Sequence, residues 1–197
     1  MAGGASSGAN DQTLGRWTVV QSETLIDTRW LQVRRQRIRT ADGVEIPEYY
    51  LCDAPDFVAL LALTQRHQVI LVDQYRHGAA QRVLELPAGM VDPTDSTPQM
   101  TAERELLEET GFRAGRIESL GVLFPSTSRQ RNRTHCFLAL DCEKVAEPGG
   151  DPAESITLRL RPLAEVRTAA RRGELPSQTS LACLFLGLER LRELGLG

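Results

Sequence analysis

Three glutamates fall within five consecutive residues of the segment Arg104-Glu105-Leu106-Leu107-Glu108-Glu109-Thr110-Gly111. Residues three and four apart on a helix share a face, so Glu105, Glu108 and Glu109 are expected to project towards one patch. Three like charges so close repel one another, and the C-terminal end of a helix disfavours acids. The pattern therefore predicts a hard-cation site, which Mg²⁺ or Mn²⁺ fits best. The alternative is a solvated acidic helix face.

The helix that carries these acids has signals at both ends. Thr97 is expected to cap its N-terminus, with Pro98 in the first position, and Gly111 stands just past its end. Arg104 lies four residues before Glu108, a spacing that favours an ion pair orienting that carboxylate.

Short apolar runs on either side of this helix predict strands, and two later segments have helical spacing. Strands are predicted within 17–38 and over 57–63, 69–72, 83–89, 117–123, 134–140 and 155–161. Helices are predicted over 163–172 and 180–194. Strands mixed with a few helices indicate an α/β or α+β sandwich.

The composition is that of one globular domain, with or without a small extension: 197 residues, of which 41% are hydrophobic and 25% charged. The net charge of -3 provides no bulk attraction for nucleic acid or an anionic membrane. The first residues are small and polar, without the apolar stretch of a signal peptide. The sequence predicts a soluble, cytoplasmic protein whose residues 1–12 are disordered.

The four cysteines are scattered, with no metal-ligand spacing relative to the three histidines. Buried or inert thiols in a reducing compartment are the favoured interpretation.

The loop before the acidic helix adds a second motif. Gly89 together with Arg104, Glu105, Leu106, Glu108, Glu109 and Gly111 resembles the Nudix box, in which a glycine and an acid six residues later precede Arg-Glu-apolar-x-Glu-Glu-x-Gly. Here the sixth residue after Gly89 is Asp95 in place of glutamate, and Arg104 follows Gly89 by fifteen residues, one more than usual. Counting back from Arg104 puts Ser96 at the acid's place. A one-residue insertion in the loop explains both counts and leaves the role of Asp95 open.

The resemblance extends to Gln74-Tyr75-Arg76 and Glu85-Leu86-Pro87-Ala88-Gly89, which look like the ADP-ribose pyrophosphatase branch acting on nucleoside diphosphate sugars. It covers about 17–166. It implies a Nudix-type α/β/α sandwich with a mixed central sheet and a small N-terminal β extension. Residues 13–55 would form N-terminal strands for dimerisation and base binding, and 56–197 the hydrolase domain of a homodimer.

The resemblance also implies a ligand set for two or three Mg²⁺ or Mn²⁺ ions. The main-chain carbonyl of Ala88 and the carboxylates of Glu105 and Glu109 would hold the metals. Glu108 is expected near the site and, with Glu109, among the catalytic carboxylates, although a structural role for Glu108 is as well supported.

Substrate contacts are expected from several side chains. Arg76 would reach a phosphate or the terminal sugar, with an exposed strand-end salt bridge as its alternative, and Glu85 is expected nearby in either a binding or a structural role. Trp30 is the candidate that stacks on the base, ahead of Trp17 and Tyr50, although each aromatic could equally be a core residue.

A further candidate lies in the run 126–133, which joins two predicted strands and contains three arginines. Arg131 is the one expected to clamp diphosphate oxygens, and ordinary surface charge is the alternative.

The implied reaction is hydrolysis of a pyrophosphate bond by water, which yields a nucleoside monophosphate and a sugar phosphate. Glu154 is the candidate that accepts the water's proton, with Glu147 and Asp151 as rivals and solvated loop charge as the alternative for each. Another sugar nucleotide such as GDP-mannose, or a nucleotide-sensing module without catalysis, remains open as a competing function. Retention of all three helix glutamates favours catalysis.

Overall fold

The computed structural model of the chain describes residues 15–149 and 155–196. Its strands are β1 (Thr18–Asp27), β2 (Gln32–Arg39), β3 (Glu45–Asp53), β4 (Phe57–Thr64), β5 (Gln68–Arg76), β6 (Gln81–Glu85), β7 (Ala88–Met90), β8 (Phe112–Arg113), β9 (Arg116–Leu123), β10 (Thr134–Lys144) and β11 (Thr157–Pro162). Its helices are α1 (Pro98–Thr110), α2 (Leu163–Arg171) and α3 (Gln178–Glu193), with a 3-10 turn at His77–Ala79.

The larger sheet is mixed. Strand order runs β11-β5-β4-β10-β8, with β6 beside β5, β7 beside β4 and β9 beside β10. The β4–β10 pair is parallel, whereas β4 pairs antiparallel with both β5 and β7. A strand between other strands and between helices is buried on both faces, which is why β4 reads as one continuous apolar run.

Side chains of β4 alternate between two apolar clusters. Ala59, Leu61 and Leu63 pack with residues of α2 and α3, whereas Val58, Leu60 and Ala62 pack with residues of α1. Helices therefore cover the two faces of the sheet, which confirms the expected α/β/α sandwich. On the α3 face the approach is tight, because a methyl group at Gly187 would overlap the Leu61 side chain.

The chain divides into two compact units. The first comprises 15–54 with 128–131 and contains the antiparallel sheet β1-β2-β3, whereas the second holds the larger sheet and the helices. All of β1 is exposed. The family resemblance implied strands over 13–55, but the local pattern did not predict β3 as a separate strand. Its start is charged and contains Pro47, and its pairing with β2 is a non-local contact that the local pattern does not reveal.

Both ends of α1 follow the prediction. The Thr97 side chain accepts a hydrogen bond from the Met100 amide at 3.3 Å, and Pro98 is the first helical residue. Gly111 ends the helix in the left-handed region, with φ 76°, where glycine has no steric penalty. Within the described residues, no helix is long and apolar enough to span a membrane.

All four cysteines are free thiols, and Cys136, Cys142 and Cys183 are buried. Burial raises the pKa of the Cys142 thiol to about 12. The prediction of buried thiols is confirmed for these three, whereas Cys52 is half-buried.

Candidate active site

Two helix glutamates lie against the backbone of β7. The Glu109 carboxylate accepts a hydrogen bond from the Ala88 amide at 3.1 Å. The Glu105 carboxylate lies so close to Gly89 that a methyl group there would overlap it. The structure thus brings together the three residues expected to hold metal, namely Ala88, Glu105 and Glu109.

Strand β7 is held on two sides. It pairs with β4, where Ala88 lies opposite Ala59 and Gly89 opposite Val58. Just before it, the Leu86 amide donates to the buried Ser180 hydroxyl of α3 at 3.0 Å. The role of Ser180 could not be predicted from the sequence, because nothing local connects it to a backbone amide 94 residues away.

Arg104 is surrounded by carboxylates. Its guanidinium lies 2.9 Å from Glu105, 2.8 Å from Glu108 and 3.2 Å from Asp95. Burial opposes its charge, but the three carboxylates outweigh burial and raise the pKa of Arg104 above its ordinary value. The predicted Arg104–Glu108 pair is confirmed, and Arg104 also orients Glu105.

Despite the extra residue in the loop, an acid of the loop still contacts Arg104. Asp95 accepts hydrogen bonds from the Thr101 hydroxyl at 2.9 Å and from the Arg104 side chain. Ser96 instead donates to the Met100 sulfur at 2.9 Å. Of the two residues left open by the count, Asp95 is therefore the one that contacts the box arginine.

The expectation that all three glutamates project into one patch is wrong. Glu109 is only 4% exposed beneath β7, whereas the Glu108 side chain is 46% exposed and turned to Arg104. The solvated-face alternative is wrong for Glu109, because this side chain is buried. Consecutive residues on a helix are rotated by about 100° from each other, so the side chains of Glu108 and Glu109 point in different directions.

The segment after β10 lies against the C-terminal end of α1. The amides of Val145 and Ala146 donate to the Gly111 carbonyl at 2.9 and 3.1 Å, and the Gly149 amide donates to the Glu108 carbonyl at 2.9 Å. Glu147 in this segment is exposed and paired with Lys144 at 2.8 Å. The other proton-acceptor candidates, Asp151 and Glu154, lie outside the described residues.

Arg76 and Glu85 form an ion pair of 2.6 Å between the adjacent strands β5 and β6. The Glu85 side chain is 11% exposed and that of Arg76 42% exposed. The strand-end salt bridge weighed for Arg76 is therefore present, and the Arg76 guanidinium still has a solvent-facing side.

The two candidate tryptophans of the N-terminal unit are exposed. Trp30 is 55% exposed, with the Arg29 guanidinium 4.1 Å from its ring centroid, and Trp17 is 50% exposed and packs edge-on against Tyr49. The core alternative is wrong for both tryptophans.

Arg131, in the same unit, binds both carboxylate oxygens of Asp53, and its Nε lies 2.9 Å from one of them. This hydrogen bond is the main cause that lowers the pKa of Asp53, against the opposing effect of burial. The structure favours the surface-charge alternative for Arg131 over a phosphate clamp.

The donor chemistry beside β7 fits a hard divalent cation. Among the described residues, no three Asp, Glu, His or Cys side chains are grouped closely enough to hold an ion by themselves. Two carboxylates beside the Ala88–Gly89 backbone do supply oxygen donors, and glycine at 89 leaves the space that a side chain would fill. A metal here would need a main-chain oxygen in addition to Glu105 and Glu109.

Two family models match the chain. Residues 54–180 match the family model described as NUDIX domain, and 17–51 match the Nucleoside diphosphate sugar hydrolase N-terminal domain. The chain belongs to the Nudix family.

Individual relatives cover most of the chain. An ADP-ribose pyrophosphatase of Mycobacterium tuberculosis is 30% identical over 83% of this chain and 79% of that protein. A CMP-5'-(N-acetyl-N-hydroxy-3-aminopropyl)phosphonate hydrolase of Streptomyces rubellomurinus is 28% identical over 90% of this chain and 86% of that protein. The crystal structure of an ADP compounds hydrolase superposes with a TM-score of 0.81 over 92% of this chain and 97% of the other at 24% identity, which supports the fold.

Proposed function

We propose that this chain hydrolyses the pyrophosphate bond of ADP-ribose or a related nucleoside diphosphate sugar, yielding a nucleoside monophosphate and a sugar phosphate. The observation that carries the proposal is the placement of the Glu105 and Glu109 carboxylates against Gly89 and Ala88. Similarity to an ADP-ribose pyrophosphatase along most of the chain supports this substrate class.

Two or three Mg²⁺ or Mn²⁺ ions held by Glu105, Glu109 and the Ala88 carbonyl would neutralise phosphate oxygens and make a water more acidic. Ala88 fixes Glu109 through its amide, and Arg104 fixes Glu105 and Glu108. Such fixing keeps the carboxylates in place without a reorganisation cost during reaction.

The chemical step is an attack by water on one phosphorus, with cleavage of the bridging P–O bond. Glu154 is the proposed acceptor of the water's proton, and Glu108 and Glu109 are the proposed catalytic carboxylates on α1. The bridging oxygen stays on the second phosphate as the leaving group. The oxygen of the water ends on the attacked phosphorus, and its protons are released or taken up by the phosphate products.

For substrate binding, the proposal assigns Arg76 to a phosphate or the terminal sugar, with Glu85 beside it at the substrate site, and Trp30 to stacking on the base. The solvent-facing side of Arg76 and the exposed ring of Trp30 support these roles. Arg131 would have to break its ion pair with Asp53 before it could bind the substrate's diphosphate.

We also propose that residues 13–55 mediate base binding and homodimer formation next to a hydrolase domain at 56–197, and that the enzyme works in the cytoplasm. The separate family match of 17–51 supports a distinct N-terminal function.

The proposal is tested by a substrate panel assayed with Mg²⁺ and with Mn²⁺, covering ADP-ribose, ADP-glucose, GDP-mannose, NADH and diadenosine polyphosphates. The expected result is release of a nucleoside monophosphate and a sugar phosphate from a nucleoside diphosphate sugar, identified by mass spectrometry. A preference for GDP-mannose would move the assignment to another sugar nucleotide. No turnover on any compound would contradict catalysis and favour the sensing module.

A further inference from the structure

Helices α2 and α3 border a groove of about 610 Å³ that shares no lining residue with the candidate active site. One wall is apolar and comes from α3, through Leu181, Phe185 and Leu188. Phe185 is 62% exposed and Leu181 37% exposed. Large apolar side chains left open to solvent beside a concave surface are typical of binding sites.

The opposite wall is cationic. Arg167 and Arg171 of α2 line the groove and lie four residues apart, so they share one helix face and repel each other. Neither forms an ion pair with any residue that the structure describes, whereas Arg190 and Arg192 of α3 are both paired with glutamates. An anion between Arg167 and Arg171 would relieve this repulsion.

The size of the apolar stripe limits what the groove can bind. Leu181 to Leu188 spans seven steps of about 1.5 Å, or roughly 10 Å along α3. A stable protein partner buries about 800 Å² on each side, more than so short a stripe offers. The groove volume instead falls within the range of about 300–1,000 Å³ that is usual for small-molecule sites.

We propose that this groove binds a small amphipathic anion. Its apolar body packs against Leu181, Phe185 and Leu188, and its carboxylate, phosphate or sulfonate lies between Arg167 and Arg171. Charge-assisted hydrogen bonds from arginine fix the anionic end, and the apolar wall selects against fully polar anions such as inorganic phosphate.

The test uses two probes, the fluorescent sulfonate 8-anilinonaphthalene-1-sulfonate and decanoate, titrated against the full chain. The expected result is saturable binding of one sulfonate per groove, displaced by decanoate and at least roughly tenfold less well by the uncharged decanamide. The double variant R167Q/R171Q should bind both anions at least about tenfold more weakly. Phe185→Ser should weaken both anions and decanamide alike.

A matched control is R66Q/R113Q, which removes two exposed arginines that have no ion pair among the described residues and do not line the groove. This variant changes the net charge equally and should bind as the unaltered chain does. Equal affinities of R167Q/R171Q and R66Q/R113Q would overturn the proposal, as would equal displacement by decanoate and decanamide. Lack of saturable binding to the unaltered chain would overturn it too.

Discussion

The carboxylate of Glu105 lies against Gly89, in space that any side chain at position 89 would occupy. Gly89 does not have a positive φ, so glycine is needed there for the close approach and not for its backbone conformation. The position of the Glu105 carboxylate, the first glutamate of the box helix, therefore depends on glycine at position 89, the first glycine of the box.

Gly89→Ala should displace the Glu105 carboxylate and lower kcat/KM by more than roughly tenfold, because a shift of about 1 Å in a catalytic group can cost about 100-fold. Circular dichroism should show an unchanged fold. The control is Gly78→Ala, at a glycine with open space around it and no positive φ. Equal activities of the two variants would mean that the contact has no catalytic role.

Asp95→Asn should weaken the ion pair with Arg104 and lower activity by about tenfold. This is the lower end of the roughly 10- to 100-fold loss that is typical when a residue orienting a metal ligand is replaced. The loss should appear in kcat or in the metal concentration needed for half-maximal activity, with little change in KM for the sugar nucleotide. Asp92→Asn, in the same loop, is the control. A loss as large as that from removing a metal ligand would contradict a supporting role for Asp95.

Arg131→Gln should lower the free energy of unfolding at pH 7 by at most about 1 kcal/mol, because the pair with Asp53 is partly exposed. The folded-state pKa of Asp53 is lowered, so its stabilisation is present above the unfolded pKa of about 3.9 and is lost as pH falls through the folded value. The difference from the unaltered chain should thus shrink below about pH 4.

The control for this change is Arg129→Gln, and the second measurement is KM. An unchanged KM agrees with the structural role of Arg131. A KM raised severalfold in Arg131→Gln alone would restore the phosphate clamp.

Ser180→Ala should leave the Leu86 amide without its buried acceptor, at a cost of about 1–3 kcal/mol in the free energy of unfolding. Urea denaturation measures this cost, with the exposed Ser119→Ala as the control. Equal stabilities of the two variants would show that water or a rearranged backbone replaces the hydroxyl.

Helices and strands whose signals lie within their own sequence were predicted with nearly the correct bounds. Helix α1 begins and ends at the expected residues because the signals of Thr97, Pro98 and Gly111 lie within its own sequence. The central strand β4 was also predicted, because a strand buried on both faces has a continuous run of apolar residues. By contrast, β3 depends on a partner strand for its hydrogen bonds and has no such run.

The site was predicted less completely because its contacts are tertiary. Helical spacing placed Glu105, Glu108 and Glu109 together but did not reveal that Glu109 is buried under Ala88. The count of loop residues did not decide between Asp95 and Ser96, because an insertion shifts spacing without showing which side chain turns towards Arg104.

Hydrolysis of ADP-ribose with Mg²⁺ by Glu109→Gln, compared with Glu103→Gln on the same helix, tests the central claim most directly. Glu103 is exposed and hydrogen-bonded only to Gln99 in the described structure, so its variant should keep full activity. Glu109→Gln should lower kcat/KM by more than about 100-fold. Replacing a residue that only orients a metal ligand typically lowers activity by about 10- to 100-fold, and replacing the ligand itself should lower it further. Both should show the same thermal unfolding within a few degrees. Equal turnover by the two variants would contradict the assignment of Glu109 and, with it, the metal site beside Ala88.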